Sequence, residues 1–212
     1  MPFWDRSIDL LVLTHPHEDH VGGLADVLRR YEVKQVLESS AEYDSLPYSE
    51  WQGLVENEGA GRTVAIAGQR IELGEGAMME VLHPGYAGRD GRAAQVDDAS
   101  VVLRIVCGSV SILLTGDIGS ETERNLLDSG FDLAGTVLKV AHHGSDSSSC
   151  PEFLAEVDPQ VAVISVGAGN RFGHPSREVV ERLAGARVYR TDQQGTVELT
   201  TDGNRLWVKT ER

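Results

Sequence analysis

The chain has 212 residues, 41% hydrophobic and 25% charged, which is ordinary for one soluble domain with its own core. The formal net charge is −14, which excludes a broad basic surface for nucleic acid but not a local groove. No apolar run reaches the length of a membrane span, no signal sequence is visible, and the two cysteines, Cys107 and Cys150, are expected to be free thiols.

The predicted elements alternate between strand and helix along the chain. Residues 8–13 form a continuous apolar run typical of a strand buried on both faces, and a helix is expected to begin near Gly23. Further strands are predicted at 34–37, 63–67, 70–73, 78–82, 100–106, 110–114, 137–141, 161–166, 187–189, 196–199 and 206–209. Helices are predicted at 49–56, 120–127, 151–157 and 176–183, and a glycine-containing loop at 84–98. This order predicts an α/β fold of two sheets covered by helices, an αββα sandwich in a single domain over residues 1–212.

The helix at 120–127 is expected to begin with a capping box. Ser120 would cap the helix, and Glu123 three residues later would reach back to it.

Three histidines and an aspartate lie within six residues directly after the first strand. Residues two apart in an extended segment share a face, so His15 and His17 can bind one metal ion together. Asp19 and His20 follow a bend and can bind a second ion. Two adjacent metals activate water and position an in-line displacement, so this motif predicts a dinuclear hydrolytic centre.

Two later strands end in further metal-binding side chains. Asp117 follows the strand at 110–114 and is the candidate bridging ligand, although it could instead only cap the next helix. The strand at 137–141 is followed by His142 and His143. His143 is favoured as a ligand, with His142 beside it, and spacing alone leaves the choice between them open.

Two other positions have weaker signals. Asp97 or Asp98, just before a strand, could complete the first metal's ligands or belong to a solvated acidic turn. His174 follows the strand at 161–166 and could serve as general acid or phosphate contact, whereas His83 is expected to be structural.

These motifs together resemble the metallo-β-lactamase fold superfamily. The segments THPHEDHVGGL, DDASVVL, LLTGD, VLKVAHHGS, VISVG and GHP, and the closing VYRTDQQGTVELTTDG, look more narrowly like the C-terminal domain of ComEC-type competence proteins. Those are bacterial membrane proteins that take up transforming DNA. The resemblance implies a soluble domain of a cell-membrane protein, with DNA and the membrane part of an uptake channel as partners.

The chain departs from this family in two ways. Relatives begin with additional strands, so the chain is expected to be a domain shortened at its N-terminus. The sheet edge at residues 8–13 would then be uncovered and would favour oligomerisation, strand swapping or a partly formed site. Where relatives have Asn, this chain has Asp97, and no histidine lies between His83 and Asp117. Such an oxygen-rich ligand set favours manganese over zinc.

The function that the resemblance implies is a metal-dependent nuclease or phosphodiesterase that acts in DNA uptake. Asp19, His142 and His174 are then the candidate catalytic residues. The candidate substrate-binding residues are Ser145, Ser148, Asn170 and Arg171. Three alternatives stay open: an acyl hydrolase of the lactonase or thioesterase type, a non-catalytic domain that binds DNA or docks on a pore, and an enzyme that is inactive in this shortened form.

Overall fold

The computed structural model describes residues 5–85 and 96–212, which separate into two compact units. The first unit contains residues 5–67, 83–85 and 96–101. Its strands form a parallel sheet in the order β1-β2-β3. The elements are β1 (Ser7–Leu13), α1 (Glu18–Leu28), β2 (Glu32–Glu38), α2 (Leu46–Glu58) and β3 (Gly61–Val64).

The core of the first unit lies between its sheet and α1 and α2. Trp51 of α2 is fully buried and packs in one cluster with Leu13 of β1 and Val36 of β2. The Trp51 indole Nε1 donates a hydrogen bond to Glu38 at the end of β2, 3.3 Å away, so its polar atom is satisfied within the core. This packing fixes the end of β1, from which the histidine motif continues.

The second unit contains residues 68–82 and 102–212. Its main sheet has the strand order β10-β9-β8-β7-β6-β5-β4 over the part of the chain that the structure describes. These strands are β4 (Arg70–Gly74), β5 (Ala77–His83), β6 (Val102–Cys107), β7 (Val110–Leu114), β8 (Val137–Lys139), β9 (Val161–Ile164) and β10 (Arg187–Arg190).

Four helices and a two-stranded antiparallel sheet complete the second unit. They are α3 (Ser120–Leu127), α4 (Pro151–Val157), α5 (Arg177–Arg182), α6 (Thr191–Gln194), β11 (Val197–Thr201) and β12 (Leu206–Thr210). The core includes Phe153 of α4, Leu113 of β7 and Ile164 of β9, all almost completely buried.

The neighbouring strands β7, β8 and β9 are parallel, and this places the predicted site residues at one edge of the sheet. Asp117 lies three residues beyond β7, His142 three residues beyond β8, and His174 in the loop after β9. The carboxyl ends of parallel strands meet at a common edge, where ligands bind in α/β proteins.

Several boundaries differ from the sequence predictions. Helix α2 begins at Leu46 rather than at residue 49, because Ser45 caps it and Pro47 occupies its first turn. Strand β3 ends at Val64 and pairs with β2 through Gly61 to Val64, rather than running from 63 to 67. The predicted capping box is wrong: Gly119 is the N-cap, and no side chain caps α3. Most of the loop predicted at 84–98 lies outside the described residues.

Candidate metal centre

The histidine motif occupies the turn between β1 and α1 in the first unit. His15 follows the end of β1 and is completely buried, whereas His17 is the N-cap residue of α1, with an extended backbone. Asp19 and His20 lie in the first turn of α1, and each offers a ligand atom within 4.8 Å of the other. His15 and His17 precede the helix, whereas Asp19 and His20 are within it. Asp19 and His20 therefore do not follow the strand-like alternation of side chains that relates His15 to His17.

Hydroxyl groups fix the orientation of two of these imidazoles. Nδ1 of His15 lies 3.1 Å from Ser100 Oγ and 3.2 Å from Thr14 Oγ1. The same Thr14 hydroxyl lies 3.1 Å from Nδ1 of His20. Contacts on Nδ1 determine which nitrogen faces a metal, so Nε2 is the ligand atom available on both residues.

His15, His17 and Asp97 form a compact group of donors within the first unit. The Asp97 carboxylate Oδ1 lies 2.8 Å from His17 Nδ1 and 3.5 Å from His15 Nε2. The ligand atoms of the three residues all lie within 4.8 Å of one another. Two donors bound to one ion at about 2.1 Å are at most about 4.2 Å apart, so the 2.8 and 3.5 Å separations from Asp97 fit a metal site.

Asp97 belongs to a short 3₁₀ turn, Asp97–Ala99, that leads into β6. The backbone after it is tied to the histidine turn, because Val101 N donates to the carbonyl of Thr14 at 2.9 Å. His83 Nδ1 donates to the carbonyl of Ser100 at 3.0 Å, and burial lowers the pKa of His83. His83 is half-buried and its ring holds the Ser100 segment, and its structural role stays a prediction.

Asp117, Lys139 and His143 form the corresponding group in the second unit. The Asp117 carboxylate is 4% exposed, and its Oδ2 lies 3.1 Å from His143 Nε2. Lys139 Nζ lies 3.3 Å from Asp117 Oδ1 and donates to the carbonyl of Gly116 at 2.7 Å. His143 Nδ1 donates to the carbonyl of Ser165 at 2.6 Å, which leaves Nε2 as the atom that faces Asp117.

The backbone at His142 and His143 has an uncommon conformation. Both residues have positive φ, 46° and 54°, within the 3₁₀ turn Ala141–Gly144. Left-handed residues other than glycine cost free energy and cluster at functional sites. Gly144 follows with φ +81°, and a Cβ on it would lie 2.6 Å from Cβ of Pro175, so the close approach of the two loops requires glycine.

His174 lies beside His142 in the second unit, with ring centroids 5.8 Å apart. Burial is the main cause that lowers the pKa of His174, and the neighbouring His142 and His143 lower it further. The loop that carries His174 is held by Asn170, whose amide makes four hydrogen bonds to the backbone of residues 167–174. Both polar atoms of Asn170 thus bind its own loop, and its predicted contact with substrate stays a prediction.

The predicted substrate-binding serines also make internal contacts. Ser148 is buried, and its hydroxyl donates to the carbonyls of Ala141 and Ser145, both at 3.1 Å. Ser145 Oγ lies 2.9 Å from Ser147 Oγ. Arg171 is exposed. Phosphate binding by Ser145, Ser148 and Arg171 stays a prediction.

Sequence reasoning missed residues that contact the candidate metal-binding side chains, among them Ser100 and Lys139. A signal for Lys139 existed, because a lysine between Leu138 and Val140 in a buried strand needs a counter-charge. Ser100 had no local signal, since it is 85 residues from His15 in the sequence.

The donor chemistry of these groups fits divalent metal ions. The first unit offers imidazoles with the Asp97 carboxylate, and the second unit offers the Asp117 carboxylate with an imidazole. Imidazole and carboxylate ligands together suit zinc, iron and manganese. Within residues 5–85 and 96–212, no helix combines the length and apolar character needed to cross a bilayer.

A family model described as the metallo-β-lactamase superfamily matches residues 5–168, and the chain belongs to this superfamily. Its members are generally metal-dependent hydrolases. The resemblance recognised from the sequence motifs and the predicted fold class are thereby confirmed.

The curated relatives include competence proteins. ComE operon protein 3 of Bacillus subtilis (strain 168) is 31% identical over 196 residues, which cover 91% of this chain and 24% of the relative. Competence protein ComA of Neisseria gonorrhoeae is 33% identical over 198 residues, covering 91% of this chain and 25% of the relative. The chain thus spans about a quarter of the length of these relatives.

Solved structures share the fold at low identity. YhfI of Bacillus subtilis, a metallo-β-lactamase fold protein, matches with a TM-score of 0.54 and 12% identity, over 94% of this chain and 78% of that one. CmlA, a diiron β-hydroxylase from Streptomyces venezuelae, matches with a TM-score of 0.51 and 16% identity, over 87% of this chain and 44% of that one.

Proposed function

We propose that this chain is a metal-dependent phosphodiesterase that cleaves DNA during its uptake by a competence system. The observation that carries the proposal is the His15, His17 and Asp97 group, whose donors are spaced for one ion and include a carboxylate. The competence relatives supply the link to DNA.

His15, His17 and Asp97 are assigned to the first metal. His15 binds through Nε2, because Ser100 and Thr14 contact its Nδ1. His17 binds through Nδ1, the atom that faces Asp97. The carboxylate at position 97 makes this ligand set richer in oxygen than one of imidazoles alone.

Asp19, His20 and His143 are assigned to the second metal, with Asp117 shared between both. His143 binds through Nε2, since its Nδ1 donates to Ser165. Lys139 offsets part of the negative charge of the buried Asp117 and holds its carboxylate in place. That the two donor sets serve one reaction centre rests on the order of the motifs and on family membership.

Two divalent ions, when bound, would supply positive charge that stabilises the phosphate oxygens and would lower the pKa of the attacking water. The chain's own residues then orient substrate and transfer the proton. When water adds to phosphorus and the ester P–O bond breaks, the leaving oxygen takes a proton. His142 and His174, with rings 5.8 Å apart, are assigned to that transfer.

Manganese is proposed as the preferred ion. Carboxylate oxygens suit manganese, whereas imidazole-rich and thiolate-rich sites suit zinc. Manganese lies at the low end of the divalent affinity series, so its affinity for this chain should be weak.

The experiment compares two substrate classes, phosphodiesters and a thioester, and two metals on the metal-stripped chain. Hydrolysis of bis(p-nitrophenyl) phosphate and of single- and double-stranded DNA is measured with manganese and with zinc, beside a thioester assay. Phosphodiester cleavage that is faster with manganese supports the proposal. Thioester cleavage without phosphodiester cleavage would establish an acyl hydrolase instead. Metal binding without hydrolysis of any of these substrates would show that the chain has a binding role and not a catalytic one.

A further inference from the structure

Phe172 is an exposed aromatic side chain close to the second unit's histidines. It is 82% exposed, although aromatic rings usually bury most of their surface. A single exposed apolar residue is common on protein surfaces and means nothing by itself. The contacts around Phe172 distinguish it from such a residue.

The Phe172 ring is stacked on an imidazole from the metal-centre region. Its centroid lies 5.9 Å from that of His174, with only 15° between the two planes. His174 in turn lies 5.8 Å from His142. Aromatic rings therefore extend outward from the proposed site of proton transfer, and Phe172 is the exposed end of that series.

The loop around Phe172 is held in this conformation. Asn170 Oδ1 accepts from the backbone nitrogens of Phe172 and His174, at 3.2 and 3.0 Å. Asn170 Nδ2 donates to the carbonyls of Gly167 and His174, at 3.2 and 2.7 Å. A pre-organised ring loses little conformational entropy when a ligand packs on it, so this arrangement favours binding.

We propose that Phe172 is a stacking platform for a nucleobase of single-stranded DNA, a base-binding subsite beside the phosphate-cleaving site. The inference rests on the proposed function. Stacking on aromatic side chains tolerates any base sequence, because every base has a planar face. It also does not require a basic surface, which suits a chain with a net charge of −14. The adjacent, exposed Arg171 supplies a local positive charge for the backbone phosphate.

The test measures binding of a short oligonucleotide that contains 2-aminopurine, in EDTA to prevent metal-dependent cleavage and again in manganese. Stacking quenches 2-aminopurine, so wild type should lower its fluorescence. Phe172→Ala should abolish that quenching and weaken binding roughly 5- to 150-fold, whereas Phe172→Trp should retain both. An oligonucleotide with an abasic site in place of each base should bind wild type and Phe172→Ala equally.

Leu46→Ala is the matched control, because Leu46 is an apolar residue that is 88% exposed in the first unit. It should bind like wild type. The proposal is overturned if Phe172→Ala binds the base-containing oligonucleotide as wild type does, if it loses affinity equally for the abasic one, or if wild type binds neither. The EDTA comparison requires no cleavage, so failure of the proposed phosphodiesterase activity would be seen separately.

Discussion

Asp117 places a negative charge in a position that water barely reaches. Its carboxylate contacts Lys139 and His143, and an asparagine has nearly the same volume without the charge. We expect Asp117→Asn to fold but to lose at least about 100-fold in phosphodiester hydrolysis, because a neutral amide binds divalent ions far less well than a carboxylate. The rate with bis(p-nitrophenyl) phosphate and the melting temperature test this.

Asp132→Asn is the control for that variant. Asp132 is 63% exposed and pairs with Arg104 at the surface, so its charge should contribute nothing to hydrolysis. Equal rates for Asp117→Asn and wild type would show that Asp117 does not serve as a metal ligand in hydrolysis. A large drop in the melting temperature would show that the charge at position 117 serves the fold instead.

Ser100 tests whether the orientation of His15 matters for metal binding. Its hydroxyl contacts His15 Nδ1 in a fully buried position. Removal of such an outer contact from a ligand histidine typically weakens metal affinity 10- to 100-fold. We therefore expect Ser100→Ala to bind manganese about 10- to 100-fold more weakly, measured by titration calorimetry.

Ser111→Ala provides the comparison, because Ser111 is also buried and hydrogen-bonded but lies on β7 in the second unit. It should lose stability and keep its manganese affinity. If both variants bind manganese equally well, the Ser100 hydroxyl does not orient His15 for a metal.

At the scale of elements, α3 is tied to the serine loop at 145–150 through one carboxylate. Glu123 is completely buried and accepts hydrogen bonds from the backbone nitrogens of Ser149 and Cys150, at 2.6 and 2.8 Å. From α5, Arg182 donates to the carbonyls of Ser148 and Ser149, at 3.4 and 3.2 Å. The loop after the histidine pair is therefore fixed by a carboxylate and a guanidinium from two helices.

Replacing Glu123 with glutamine should destabilise the chain without changing its shape. One of the two backbone nitrogens would face an amide NH₂ instead of an oxygen, and an unsatisfied buried donor costs about 1–3 kcal/mol. The free energy of unfolding of Glu123→Gln, measured by urea denaturation, should fall by that amount. An unchanged value would show that the loop is fixed without Glu123.

The loss of folding stability in Glu123→Gln should depend on pH. Burial raises the pKa of Glu123 above its usual value of 4.5, although the Ser149 and Cys150 amides and the charge of Arg124 oppose the shift. The folded chain keeps this proton to higher pH than the unfolded chain does. The stabilisation from protonation is therefore complete below pH 4.5 and is lost as the pH rises through the folded-state pKa. The stability difference between wild type and Glu123→Gln should shrink with rising pH.

Glu123 also shows where sequence reasoning stops. The spacing of Ser120 and Glu123 matches a local capping motif, but the partner of the carboxylate is a loop 26 residues away. Helix α3 itself was predicted correctly, because its boundaries follow from local composition. The boundaries of α2 and β3 were missed, since the cap at Ser45 and the pairing with β2 decide them.

The candidate site likewise combines features that the local sequence predicts with contacts that only the folded chain forms. The spacing of His15 and His17 and the position of Asp117 after a strand could be read locally, and the structure places His15 and His17 in one donor group. The contact of Asp97 with His17 connects positions 80 residues apart, so the sequence could only offer Asp97 beside Asp98. Lys139 and Ser100 contact Asp117 and His15 across 22 and 85 residues of sequence, through folding that no spacing rule describes.

At the scale of the whole molecule, the negative net charge favours stabilisation of the folded chain by bound metal ions. The chain has a net charge of −14, and divalent cations bound only in the folded state should stabilise it against unfolding. We expect manganese at 100 times its Kd to add about 2.7 kcal/mol and to raise the melting temperature. Differential scanning fluorimetry of the metal-stripped chain with increasing manganese tests this.

Asp117→Asn should show a smaller rise than wild type, and an excess of EDTA should reverse the rise in both. Magnesium at equal concentration is the control for general screening of the acidic surface. If magnesium stabilises the chain as strongly as manganese does, the effect belongs to surface charge rather than to the histidine and carboxylate ligands.

The close approach of Gly144 to Pro175 has a consequence for where a strand would be cut. Ser176 N donates to the carbonyl of Gly144 at 2.8 Å, so the loop with His143 and the loop with Phe172 are joined through their backbones. Because the backbones of the two loops are joined, a nucleotide stacked on Phe172 and a phosphate bound near His143 would keep a nearly constant separation. Scission would fall at a constant number of nucleotides from the stacked base, whatever the sequence, and fragments would follow one register along the strand.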